Sequence, residues 1–257
     1  MSRIIAILGA DGSGKTTFLN ELEKSLAESN RAIRTLKMPQ FHLTPGTHRP
    51  QLSEALEKLG QRADLARDPQ LKAMSLFLAM PLYDEATTVL SGQAELIISE
   101  RHPLIDSIAY AAYYRGLLST EYDWNLLNDF ESIALVRDWA RIVMGRWLAK
   151  PVLSQLPGRL AELFSKEPRD LIHALSSIYR CDPPDEAILI TLDRETLTAR
   201  LKLKEQAKEI HEDISTIMML QEALKVTAQL VARDSHMKLR IIETIDIRRD
   251  RILQTIV

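Results

Sequence analysis

The sequence predicts an α/β protein: a five-stranded parallel sheet covered by helices in a three-layer arrangement. Three observations predict it. Short, continuous apolar runs rich in Ile and Leu alternate with longer segments whose apolar residues recur at helical spacing. The runs are unbroken rather than alternating, as strands buried on both faces of a parallel sheet must be. Of nine glycines, three (Gly9, Gly12 and Gly14) fall within six residues, directly after the first run. Backbone freedom is thus concentrated at the first strand-to-helix turn.

In chain order, Arg3 to Leu8 (RIIAIL) reads as the first strand, and Thr16 to Asn30 as a helix with apolars at Phe18, Leu19, Leu22 and Leu26. Arg34 to Met38 reads as a second strand ended by Pro39, and Glu95 to Ser99 as a third with Glu100 at its carboxyl end. Glu186 to Leu192 and Leu239 to Ile245 supply the fourth and fifth. Helical patterns cover 51–66, 69–91, 104–117, 125–149, 158–180, 194–208 and 212–234, and a short last helix follows Asp246. Strands alternating with helices imply right-handed crossovers and helices on both faces of the sheet. The stretch from about 117 to 183 carries only helical patterns and reads as a helical insertion before the fourth strand. It lies within one domain spanning 1–257, because no linker-like composition flanks it.

Composition sets the outer limits. The 33 basic and 35 acidic side chains give a formal charge of −2, which argues against a protein held mainly by a positive field to DNA or to an anionic membrane and leaves room for a local basic site. The single cysteine, Cys181, excludes an intrachain disulfide and a Cys-rich metal site. No apolar run approaches the roughly 18 residues that span a bilayer, and a cytoplasmic location is expected.

The chemistry lies in Gly9-Ala10-Asp11-Gly12-Ser13-Gly14-Lys15-Thr16, a glycine, four residues, then glycine, lysine and threonine. Glycines let successive N–H groups turn inward on phosphate oxygens, and the following helix adds its N-terminal dipole. Lys15 supplies a cation for the bridging and terminal phosphates, and the Thr16 hydroxyl is suited to Mg²⁺. Glu100, ending a buried strand at the ligand-gathering edge of the sheet, is suited to a Mg²⁺ water shell or to a substrate proton.

These residues, with Glu100-Arg101-His102-Pro103 and the strand after Pro184-Asp185, resemble the thymidylate kinase and deoxynucleoside kinase group of P-loop kinases. Gly9 to Thr17 (GADGSGKTT) is similar to the thymidylate kinase loop. Leu76-Phe77-Leu78-Ala79 and Asp106-Ser107-Ile108-Ala109-Tyr110 follow that family's pattern, and Glu100 to Leu104 is similar to a herpesviral thymidine kinase motif. The resemblance covers most of the chain outside about 117–183.

What it implies is MgATP as donor, bound through Gly9, Asp11, Gly12, Ser13, Gly14, Lys15, Thr16 and Thr17, with Thr16 and Glu100 serving the metal. Asp11 stands where the family contacts the substrate sugar, and Arg101 pairs with phosphate on the acceptor side. A basic lid over about 200–211, with Arg200, Lys202, Lys204 and Lys208, closes over the moving phosphoryl group. Lys15, Glu100, Arg101, Arg200 and Lys204 are the implied catalytic set.

Three departures bear on the acceptor. Met38-Pro39-Gln40-Phe41-His42 offers no acid where the family has an arginine or acid. Pro81 stands in place of a base-reading arginine, and Ala111 in place of a glutamine. Lys37, His42 and Arg49 are the available replacements. The expected activity is transfer of the ATP γ-phosphoryl group to a nucleoside, nucleoside monophosphate or related small acceptor. The alternative is an ATP-binding regulatory or interaction protein whose acceptor site has decayed. Neither membrane nor strong nucleic-acid binding is expected, and homodimerisation is left open.

Overall fold

The computed structural model describes residues 2–27, 32–202 and 213–243. It is an α/β structure with five parallel strands, β1 (Arg3–Leu8), β2 (Ile33–Lys37), β3 (Leu96–Glu100), β4 (Glu186–Thr191) and β5 (Lys238–Glu243), in the order β2-β3-β1-β4-β5. Ile5, Ala6, Ile7 and Leu8 are all fully buried, so the central strand is covered on both faces, as its unbroken apolar run predicts.

The ten helices among the described residues are α1 (Lys15–Ala27), α2 (Pro50–Ala66), α3 (Pro69–Ala79), α4 (Leu82–Ser91), α5 (Pro103–Arg115), α6 (Ile133–Met144), α7 (Leu156–Phe164), α8 (Pro168–Tyr179), α9 (Arg194–Lys202) and α10 (Ile214–Asp234). Three expected helical stretches are interrupted. The 69–91 pattern divides at Met80-Pro81, since Pro81 has no N–H to continue the ladder. The 158–180 pattern divides before Pro168, which takes the first turn of α8. The 125–149 pattern becomes a 3₁₀ turn at Trp124–Leu127, capped by the Asp123 carboxylate on the Asn125 N–H, followed by α6, which ends at Gly145. The last expected helix, after Asp246, lies outside the described residues.

Packing groups the chain into two compact units, the described parts of Met1–Leu36, Thr87–Ala109 and Pro183–Val257, and those of Lys37–Ala86 and Tyr110–Asp182. In the first, Phe18, Leu19 and Leu22 of α1 pack on Ile5, Ile7, Ile98, Ile188 and Ile190 of the sheet. At the sheet's amino edge the buried Glu186 carboxylate binds Arg3 at 2.5 Å and Arg240 at 2.6 Å, tying together β1, β4 and β5.

The second unit is helical and holds the expected insertion together with 37–86. α2 and α3 lie close enough that a Cβ on Gly60 would stand 3.3 Å from Ser75 Oγ, and the Lys72–Asp64 ion pair, 2.5 Å, links the same helices. Asp68 caps α3 through the Leu71 N–H and accepts the Tyr122 hydroxyl at 3.0 Å. α6 turns Val136, Trp139, Ala140 and Val143 inward, and Trp139 Nε1 donates to the Leu78 carbonyl at 2.7 Å. Among the described residues no helix is long and apolar enough to cross a membrane.

The strand order places the site. From β1 the chain crosses β3 to reach β2, whereas from β3 it crosses β1 to reach β4. Neighbouring strands thus send their connections in opposite directions, and right-handed crossovers put those connections on opposite faces. The carboxyl ends of β1 and β3 therefore border the switch point of the sheet, where open parallel sheets bind ligands.

Candidate active site

At the carboxyl end of β1 the chain turns through Gly9 (φ 155°), Gly12 (φ 80°) and Gly14 (φ 94°) before α1 begins at Lys15. Gly9 is required for space as well as for conformation: a Cβ there would sit 2.5 Å from Ser13 Oγ and 2.8 Å from the Ile190 carbonyl. The Ser13 N–H donates to the Ala10 carbonyl at 3.1 Å, and the Phe18 N–H starts the helical ladder on Gly14 at 2.9 Å. The loop is anchored from below by Ala10, which packs with Leu192, Leu197 and Ile217.

Lys15 is buried, with its Nζ donating to the Ala10 carbonyl at 3.0 Å and lying 3.8 Å from Asp11 Oδ1. Burial, followed by the Arg101 charge, pulls its ammonium down to about 8; Asp11, Glu100 and Asp106 oppose that shift without cancelling it. A cation so poorly solvated gains more from a phosphate than an exposed lysine does.

The end of β3 meets this loop. Ile7 pairs with Glu100 in the β1–β3 register, so the carboxylate is delivered beside the turn that follows β1. The Thr16 hydroxyl donates to Glu100 Oε1 at 3.2 Å, which brings together the two residues expected to serve the metal. Arg101 is one of three non-glycine residues with positive φ among those described, at 71°. Its N–H donates to the Ile7 carbonyl at 2.9 Å, and its own carbonyl accepts the Ser99 hydroxyl at 2.8 Å. Its guanidinium forks between Asp11 Oδ1, 2.5 Å from Nη2, and Asp106 Oδ1, 2.9 Å from Nη1.

Arg200, on α9, reaches the same loop: its Nη1 donates to the Gly12 carbonyl at 3.0 Å and would be 3.1 Å from a Cβ on Gly14. α9 is capped by Asp193, whose carboxylate is held below its usual range by the Thr196 N–H and hydroxyl. The expected sites Lys15, Thr16, Glu100, Arg101 and Arg200 are therefore gathered with Asp11 around one turn. Thr17 is exposed on the first turn of α1. Lys204 and Lys208, in the lid expected over 200–211, lie outside the described residues.

A carboxylate and a hydroxyl at hydrogen-bond distance fit Mg²⁺, which takes few protein ligands and completes its shell with water and phosphate oxygens. Among the described residues no group of three or more His, Cys, Asp or Glu forms a self-sufficient metal cage. Sequence reasoning assigned Asp106 no role; the signal available was an acid one turn into the helix that follows Glu-Arg-His-Pro. His102 is fully buried, and its backbone N–H donates to Asp106 Oδ2 at 2.9 Å.

Lys37, His42 and Arg49, suggested for acceptor contacts, belong to the second unit, where His42 and Arg49 are engaged, as is Gln40. Gln40 donates to Glu57 Oε1 at 2.7 Å, and His42 stands 3.4 Å from Glu57 Oε2 and 3.1 Å from Ser53 Oγ. Arg49 pairs with Glu85 and lies over the Trp139 ring, 4.9 Å from its centroid. Pro81 separates α3 from α4. Burial, with Asp182 and Asp84, pushes the half-buried Cys181 thiol well above its usual value, which favours the protonated thiol. No protein-family model and no curated protein matches the chain.

Proposed function

We propose that the chain is an ATP-dependent phosphotransferase of the nucleoside or nucleoside monophosphate kinase type, with a P-loop and a small-molecule acceptor. One observation carries this reading: Lys15, Thr16, Glu100 and Arg101 converge on a turn opened by three positive-φ glycines, at the switch point of a parallel sheet. Backbone amides of the turn and the start of α1 cradle phosphate oxygens. Lys15 leaves the Ala10 carbonyl for the oxygens that gain charge as the γ-phosphoryl group moves. Arg101 offers a rigid guanidinium to the acceptor side, and Arg200 adds a cation above Gly12. Thr16 and Glu100 would hold Mg²⁺, which supplies Lewis-acid neutralisation of the phosphates when bound. Chemistry of this kind is mostly positioning and electrostatics, so the missing acid after β2 does not exclude turnover.

A second reading, an ATP-binding regulatory protein, is favoured by the state of Gln40 and Arg49, whose side chains are paired with Glu57 and Glu85. A screen of MgATP consumption across nucleosides, nucleotides and sugars decides between them, with Lys15→Ala as the blank. The phosphotransferase reading expects at least one acceptor to raise consumption well above that blank. ATP binding without consumption across the panel would move the protein to the second reading.

A further inference from the structure

Asp106 enters none of the roles above, yet both of its carboxylate oxygens are used where the loop and β3 meet. Oδ2 accepts the His102 N–H at 2.9 Å and so closes the start of α5, much as an acid in the first turn does in a capping box. Oδ1 accepts Arg101 Nη1 at 2.9 Å, and the carboxylate is almost fully buried. The residue it holds has its backbone in the left-handed region, which costs an arginine energy and persists only where the surroundings over-determine it. Here they do so from both sides, through Ile7 and Ser99 on the backbone and through Asp11 and Asp106 on the guanidinium.

We infer that Asp106 is the positioning residue that aims Arg101 at Asp11, on the acceptor side of the phosphate-binding loop. A free arginine side chain samples many rotamers. Asp106 removes most of them, because its carboxylate is fixed by the helix start and takes one edge of the guanidinium, leaving Nη2 directed at Asp11. Arg101 thus stands preorganised for an anion that enters beside Asp11. The inference rests on the phosphotransferase reading for its effect on turnover, but its geometry stands apart from that reading.

Asp106→Asn is the informative variant, since one amide oxygen still accepts the His102 N–H while the charge facing Arg101 is lost. Asp106→Ser, whose hydroxyl can also accept that N–H, serves if the first does not fold. Two measurements are made on the full chain. In ¹⁵N spectra of the side chains at low temperature, Arg101, assigned by its loss in Arg101→Gln, should show separate Nη signals in the native protein and averaged ones in Asp106→Asn. In turnover with the best acceptor of the panel, kcat should fall at least tenfold with KM for MgATP within twofold, and Asp106→Asn should add nothing to Arg101→Gln. Unchanged, separate Nη signals in the variant would overturn the inference, and so would an equal loss of kcat with and without Arg101. If the native protein consumes no ATP with any acceptor, the phosphotransferase reading falls, while the spectra still decide whether Asp106 holds Arg101.

Discussion

Lys15→Met should make the protein more stable, and by an amount that depends on pH. The native ammonium titrates at about 8, whereas the unfolded chain keeps the ordinary 10.5. The native state therefore holds this proton less tightly. Below pH 8 both states carry it, and the full cost of a buried charge weighs on the fold. Between pH 8 and 10.5 the native lysine loses its proton while the unfolded one retains it, so that cost falls away and stability rises with pH. The difference between the two values corresponds to about 3 kcal/mol, at about 1.4 kcal/mol for each pH unit. Methionine keeps the length of the chain and the burial but has no charge. It forfeits the hydrogen bond to Ala10, worth about 1 kcal/mol, so the net gain at pH 7 is about 2 kcal/mol. Urea unfolding of both proteins at pH 7, 8, 9 and 10 measures this directly. The advantage of Lys15→Met should shrink steadily above pH 8 and be gone by pH 10. Parallel stability profiles would refute the claim that the loop holds a costly, poorly solvated cation.

The remaining predictions concern the turn, the metal pair and the acceptor. Gly9→Ala should cost about 2 kcal/mol or more in urea unfolding, because its Cβ meets a backbone carbonyl at 2.8 Å and its φ is one that side chains rarely adopt. Glu100→Gln should lower kcat by about 10²-fold, the usual scale for acid-base groups, with the circular dichroism spectrum unchanged; a loss under threefold at saturating Mg²⁺ would make Glu100 a structural strand end. Thymidine monophosphate should be outperformed by another acceptor in kcat/KM, since Pro81 offers no contact to the base and the Gln40 amide is spent on Glu57. If it proves best by tenfold, Lys37, His42 or Arg49 has taken over the missing contacts.

The sheet and the loop were legible in the sequence for the same reason. Both depend on local signals: unbroken apolar runs for strands buried on two faces, and glycines where the backbone must turn through positive φ. β1 is found where it was expected, and β2, β3 and β4 begin or end within one residue of expectation. Helix continuity was less legible. Periodicity survives across Met80-Pro81 and Glu167-Pro168, because the apolar faces on either side still point inward, and only the missing proline N–H marks the break. At the site, residue types announced Lys15, Thr16 and Glu100, but nothing local announced that Arg101 would adopt positive φ and be forked between Asp11 and Asp106. That arrangement depends on strand register, which brings Glu100 opposite Ile7 and so places the following arginine beside the loop. The grouping into two units, with Gln40, His42 and Arg49 engaged by partners in the second, also lies beyond sequence pattern, because Glu57, Glu85 and Trp139 are distant from some of the residues they hold.

The most direct test of the central claim, that the glycine turn and Lys15 bind the phosphates of a nucleotide donor, is calorimetric titration of MgATP into the native protein and into Lys15→Ala at pH 7. The native protein should bind one equivalent with saturation, and the variant, with an unchanged circular dichroism spectrum, should bind at least tenfold more weakly. Equal affinities for the two proteins, or no binding to the native one, would contradict it.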